Sequence, residues 1–218
     1  MLQSVVVNKQ TISTIALISI ASYIAAQILA DIASLKIVVL NLPLLGAQAI
    51  DGGTFIYPLT FTLRDVIHKK YGKRTAQKII IIAAVINLIM AAFFAFITWL
   101  PADSQWGLQT EFAAILGPLW QIVIASIVAE VVSELIDTEA YSFFVNRITK
   151  KYQWFRVLFS NSIAIPIDSI IFAFIAFYGV VPMSVIWSII AVNILIKIAI
   201  TLISMPAIYL VRDPKLSE

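Results

Sequence analysis

Glu130-Val131-Val132-Ser133-Glu134-Leu135-Ile136-Asp137 lies in the middle of an apolar run that begins near Trp120. Its three carboxylates fall at i, i+4 and i+7, so a helix places them along one face. That face cannot look at lipid. A charged side chain at the centre of a bilayer costs about 2.5–3.5 kcal/mol on insertion scales, so each carboxylate must meet a partner, water or a ligand. If the run spans a membrane, it carries the site.

Composition says that it spans. The chain has 218 residues, 61% hydrophobic and 12% charged, where a soluble domain has about 25% charged residues. Mean hydropathy is +0.98. No polar interval is long enough to bury a core of its own, so residues 1–218 are expected to form a single transmembrane domain. The net charge of +3 is small and sits in the connections, where topology explains it and a nucleic-acid partner is not needed. Cysteine is absent and His68 is the only histidine, set among lysines, so neither a disulfide framework nor a metal site is expected. The apolar run after Lys9 lacks an Ala-x-Ala cleavage pattern and should stay as a helix.

Six runs can span as helices: 11–31, 50–67, 75–100, 118–146, 156–179 and 183–210. The second needs argument. Residues 32–49 hold Lys36, Asn41 and Pro43 and suit a re-entrant or extended segment, while 50–67 tolerates Asp51 at one end and Arg64-Asp65 at the other. The expected fold is therefore all-α, a polytopic bundle of six transmembrane helices. Lys69, Lys70, Lys73 and Arg74 fall between the second and third spans, with Lys78 in the first turn of the third, and Arg147, Lys150 and Lys151 fall between the fourth and fifth, with Arg156 opening the fifth. Lys9 precedes the first span, Arg212 and Lys215 follow the last, and the opposite connections offer only Lys36. The positive-inside rule then puts both termini in the cytoplasm. Trp99, Trp106, Trp120, Trp154 and Trp187 lie near helix ends, as interfacial aromatics do.

Counting about 1.5 Å per residue from the interfaces gives depth. Near the midplane fall Tyr23 and Gln27, Tyr57 to Thr60, Glu130 and Glu134, Asp168, and Asn193 with Lys197. Polar groups from several helices at one level are what a small-molecule transporter presents. Each also has a plainer reading. Asn193 and Gln27 serve equally as hydrogen-bonded links between helices, Asp168 with Lys197 as a static ion pair, and Pro58 and Pro166 as kinks. As functional groups, those prolines would free a backbone carbonyl one turn earlier. Glu134 shares its face with two further carboxylates while one lysine lies at its depth, so protonation, a cation or ligand N–H donors must answer it. Asp137 lies lower, where it would organise an inner gate or pair with Arg64. A Gly-x-Ser site with a distant His, an HExxH zinc motif and a phosphate-binding glycine loop are all missing, so no enzyme is expected. A pore would want rings of repeated polar residues rather than one asymmetric cluster.

Phe55-Ile56-Tyr57-Pro58-Leu59-Thr60-Phe61-Thr62-Leu63-Arg64-Asp65, followed by Tyr71-Gly72 and a basic helix start, resembles the signature of the queuosine precursor transporter family, also called vitamin uptake transporters. Glu134-Leu135-Ile136-Asp137 with Tyr141, Asn161 through Asp168-Ser169 to Phe172, and Lys197 with Pro206 and Tyr209 resemble its later motifs. Two positions depart from the family's pattern. His68-Lys69-Lys70 replaces a segment that is often acidic, and Glu134 stands where many members have Gln, which bears on substrate choice.

The resemblance implies import of 7-deazaguanines, the 7-cyano or 7-aminomethyl precursors of queuosine, across a prokaryotic inner membrane by alternating access. A guanine-like edge offers N1–H beside an exocyclic amine, a pair that one carboxylate, Glu134 or Asp168, accepts. Tyr57, Phe61, Tyr141 and Phe172 are candidates for the flat slot, and Lys197 or Asn193 for the ring carbonyl. Glu130 and Asn161 complete the expected site, with Arg64, Asp65, Asp137 and Pro58 around a gate. No cofactor is expected. Proton coupling through Glu130, Glu134 or Asp168 and facilitated uptake trapped by metabolism stay open, as does a homodimer. Rival readings are the substrate-binding subunit of an energy-coupling-factor importer and a membrane protein whose polar groups only specify packing.

Overall fold

The computed structural model describes residues 14–43, 46–71, 73–147 and 153–210. In chain order these form helix α1 (Thr14–Ala33), strands β1 (Ile37–Leu42) and β2 (Gly46–Asp51), a 3-10 turn (Gly52–Phe55), and helices α2 (Tyr57–Tyr71), α3 (Lys73–Trp99), α4 (Gln109–Leu116), α5 (Leu119–Arg147), α6 (Gln153–Phe177) and α7 (Met183–Leu210). Among the described residues, four helical stretches are long and apolar enough to cross a membrane: Arg74–Trp99, Gln109–Asp137, Leu158–Phe177 and Met183–Ile203. Leu17–Ala33 is a shorter apolar helix. The chain is a polytopic α-helical membrane protein.

The exposed surface agrees. Ile81, Ile82, Val85, Leu88, Ile89, Phe93 and Phe96 lie open along α3, an apolar face that water would not tolerate and lipid tails accept. Trp99 is exposed where α3 ends, Trp106 in the connection to α4, and Trp120 and Trp187 where α5 and α7 begin. Inside, α5 packs most extensively on α6. Ala125 and Ala129 of α5 and Ala173 and Ala176 of α6 are buried together there with Phe172, Phe177 and Ile189. Such small residues let helix backbones approach closely when lipid supplies no hydrophobic drive. A second core joins Tyr23, Ile67, Ala76, Ile79 and Ala83, from α1, α2 and α3.

The helical bundle contains one extended segment, as residues 32–49 allowed, and one expectation is corrected: the helix expected at 50–67 begins only at Tyr57. Residues 37–51 instead make an antiparallel hairpin in which Ile37 pairs with Asp51 and Leu42 with Gly46. The first strand is rich in β-branched residues and Leu, and Gly46 closes the connection with φ 70°, a conformation that glycine adopts freely. Non-helical backbone is tolerated at membrane depth only where protein buries it. Here the pairing satisfies the strands, and Ser188 of α7 accepts from the Ala49 amide at 2.8 Å. Pro58 consequently sits in the first turn of α2, where a missing N–H costs nothing, and it frees no carbonyl. Pro166 does lie inside a helix, α6, and removes the N–H that would reach the Ser162 carbonyl.

The hairpin returns the chain against the end of α1 through two glycines. A Cβ at Gly52 would stand 2.5 Å from the Ala33 carbonyl oxygen. One at Gly53 would stand 2.1 Å from Ser34 Oγ and 2.5 Å from the Ala30 carbonyl oxygen. Because the obstacles include backbone, Gly53→Ala should destabilise the protein by about 1–3 kcal/mol, the range for overpacking. Thermal unfolding of the purified chain in detergent measures this, and an unchanged midpoint would contradict the close approach.

Candidate functional site

Bringing the 3-10 turn against α1 places Asp51 and Thr54 opposite the middle of α7. Ser34 donates to Asp51 Oδ1 at 2.8 Å, and the Asn193 amide donates to Oδ2 at 2.9 Å. The Thr54 hydroxyl lies between Asp51 Oδ2, at 2.7 Å, and Asn193 Oδ1, and donates to one of them at a time. One turn further along α7, Lys197 pairs with Asp168 Oδ2 of α6. The Ser133 hydroxyl of α5 lies 3.3 Å from the other oxygen and 3.2 Å from the Glu130 carbonyl oxygen, and donates to one of them at a time. Lysine and aspartate are only 4% and 2% exposed, a burial that a charge tolerates only with a partner. The Lys197 ammonium also lies over the Tyr57 ring, 5.0 Å from its centroid, a cation–π contact.

All of these except Ser133 border one pocket, whose empty space together with the open solvent at its mouth is about 330 Å³. Asp31, Asp51, Asp168 and Lys197 line it, with hydroxyls from Ser34, Thr54 and Ser126 and apolar surface from Ala30, Ala129, Tyr57 and Phe172. The lining carboxylates outnumber the lining ammonium group. Such a space has the character of a small-molecule site: a flat apolar wall and a few converging polar groups.

A second polar cluster, outside the lining residues, gathers about Glu130, the neighbour of Ala129 on α5. The Tyr23 hydroxyl donates to Glu130 Oε1 at 2.8 Å, and the Gln27 amide donates to the Tyr23 hydroxyl at 2.8 Å and reaches both Glu130 oxygens at 3.2–3.3 Å. Asn87 of α3 donates in turn to Gln27 Oε1 at 3.3 Å. This network links α1, α3 and α5.

Of the residues expected at a substrate site, Asp168, Lys197, Asn193, Tyr57 and Phe172 border the cavity. Glu130 belongs to the second cluster. Phe61 packs edge-on against Tyr57, with centroids 5.4 Å apart, and Asn161 and Glu134 are not among the lining residues. Glu134 faces Arg64 at 3.9 Å. Because α2 begins at Tyr57, Arg64 lies only two turns from its start, and there it meets Glu134. The side chains of Asp65 and Tyr141 lie outside those described. Sequence reasoning missed Asp31, Ser34, Asp51, Thr54 and Ser126. Asp31 and Asp51 flank the ambiguous segment 32–49, and only the hairpin turns them inward.

A family model described as "Putative vitamin uptake transporter" matches residues 51–211. The chain belongs to this family. A Bacillus subtilis (strain 168) protein named "Probable queuosine precursor transporter" is 30% identical over 163 residues, which cover 72% of this chain and 69% of that relative. No solved structure matches the chain. For a vitamin uptake transporter, the matched stretch takes in the turn at Asp51, the Asp168–Lys197 pair and Asn193, while α1, with Asp31, precedes it.

The ion pair makes a measurable demand. Lys197→Met leaves Asp168 buried without its cation, and removing one partner of such a pair costs about 3–5 kcal/mol. Lys197→Met with Asp168→Asn removes both charges and should recover much of that loss. A double-mutant cycle on thermal unfolding checks it, and purely additive effects would show that the pair carries no coupling.

Proposed function

We propose that this chain imports 7-deazaguanine precursors of queuosine, 7-cyano-7-deazaguanine and 7-aminomethyl-7-deazaguanine, by alternating access about the cavity. The observation that carries this reading is the cavity's donor and acceptor set beside its aromatic wall, in a family whose Bacillus relative is named for queuosine precursors. A guanine-like base presents N1–H and a 2-amino group on one edge, next to a ring carbonyl. Each carboxylate oxygen has two lone pairs, so Asp168 accepts that edge while keeping Ser133 and Lys197. Lys197 or Asn193 donates to the carbonyl, and Tyr57 and Phe172 flank the ring.

In this reading six elements cross the prokaryotic inner membrane: α1, the hairpin with α2, α3, α5, α6 and α7. Both termini are cytoplasmic, because Lys69 to Lys78 and Arg147 to Arg156 mark the inner side. Arg64 and Glu134, with Asp65 and Asp137 nearby on the same helices, form the inner gate. Glu130, held by Tyr23 and Gln27 outside the cavity lining, is the proton-coupling carboxylate, since a buried acid that exchanges hydrogen-bond partners on protonation can bias two conformations.

Purified chain reconstituted alone in liposomes, without nucleotide, should take up either labelled 7-deazaguanine saturably. 7-Deazaadenine, which lacks the N1–H and ring-carbonyl pattern, should not compete. Absence of binding by both deazaguanines sinks the proposal, and uptake that needs an added ATPase module points to an energy-coupling-factor subunit instead. An inward proton gradient should drive accumulation by the unaltered chain but not by Glu130→Gln, which should still exchange substrate across the membrane. Normal accumulation by that variant would remove Glu130 from coupling.

A further inference from the structure

The lining carboxylates are not equivalent. Asp168 is engaged at both oxygens, by Lys197 and Ser133, and Asp51 at both, by Ser34 and Asn193. Asp31 is 3% exposed, and its Oδ1 accepts from Ser126 at 2.6 Å. Among the described residues, no donor reaches Asp31 Oδ2. Among the described residues, the cations near it are committed elsewhere, Lys197 to Asp168 and Arg64 to Glu134, and Lys36 beyond the end of α1 is exposed. A carboxyl buried in this way in a cavity wall holds its charge only when a cation meets it, because a buried charge needs a compensating partner.

We propose that Asp31 is the residue that selects an ammonium-bearing substrate, its Oδ2 receiving the charged amine while the other polar groups of the cavity hold the heterocycle. This rests on the transport reading above and sharpens it to a choice between substrates. The 7-aminomethyl group carries a primary ammonium on the five-membered ring, away from the N1–H and 2-amino edge. A base read on that edge by Asp168 leaves its 7-substituent free to meet another wall of the cavity. The linear 7-cyano group has no proton to donate and only an acceptor nitrogen, so it gains nothing from Asp31. Asp31 therefore favours the aminomethyl form.

Competition binding to the purified full chain tests this with three probes: 7-aminomethyl-7-deazaguanine, its N-acetyl derivative and 7-cyano-7-deazaguanine. The unaltered chain should bind the amine at least about tenfold more tightly than the nitrile, a modest return for a close charge pair. Asp31→Asn should erase that preference by weakening the amine about tenfold or more while leaving the nitrile within about twofold. Asp31→Glu should restore part of it. Equal weakening of both ligands, or of neither, overturns the assignment. If Asp31→Asn fails to fold, the unaltered chain still decides: N-acetylation removes the charge and must erase the preference, and an acetylated ligand that binds as tightly as the amine overturns the proposal. Tight nitrile binding without preference for the amine defeats Asp31 alone, whereas failure of all three probes defeats the transport reading itself.

Discussion

A lysine at the middle of a membrane helix is tolerable only where a carboxylate meets it, and that constraint organises this protein. Lys197 meets Asp168, so α7 cannot turn independently of α6. Asp168 also receives Ser133, which ties the pair to α5, and the ammonium lies over Tyr57 at the start of α2. Apolar packing alone would leave the rotation of these helices loosely specified, because lipid tails are as apolar as the side chains they replace. The polar pair fixes which faces turn inward. The small residues Ala125, Ala129, Ala173 and Ala176 then allow the close contact that those faces need.

The long helices were legible because hydrophobic length is a local property. Runs such as 183–210 contain no competing signal, and α7 occupies Met183–Leu210. The shared level of Tyr23, Gln27 and Glu130 was legible too, since rise per residue turns sequence position into depth. Their bonding within one network follows from that level and from which helices adjoin, and only the second of these needed the structure.

Residues 32–56 were legible only in part, for an equally physical reason. Lys36, Asn41 and Pro43 interrupt the apolar signal, so the segment reads as re-entrant or extended without a register, and its hairpin is completed by a partner far along the chain, Ser188. Asp31 and Asp51 therefore looked like residues at a membrane surface. Two glycines that admit backbone where a Cβ would collide change their meaning. Conversely, Glu134 drew attention through its helical face, but the register of α2 supplies Arg64 at its level, so the carboxylate most conspicuous in the sequence lies off the cavity wall. A pattern on one helix identifies a face that must be answered; it does not say whether a ligand or a neighbouring side chain answers it.

The two polar clusters are held with different strength. Beside the hairpin, Asp51 is held by Ser34 just past α1, Thr54 from the turn and Asn193 from α7, all buried, so breaking these ties strands several polar groups at once. Such stranding is expensive, because a buried acceptor without its donor loses its full desolvation compensation. Arg64 and Glu134 approach only to 3.9 Å, with side chains 17% and 34% exposed, and a partly hydrated pair of that kind contributes about 0–1 kcal/mol. Phe61, under the Arg64 guanidinium at 5.4 Å, adds a contact of comparable size. The asymmetry follows from solvent access: the ties of Asp51 must be replaced in kind when they break, whereas water can replace those of Arg64. The ties of Asp51 are therefore the stronger of the two sets.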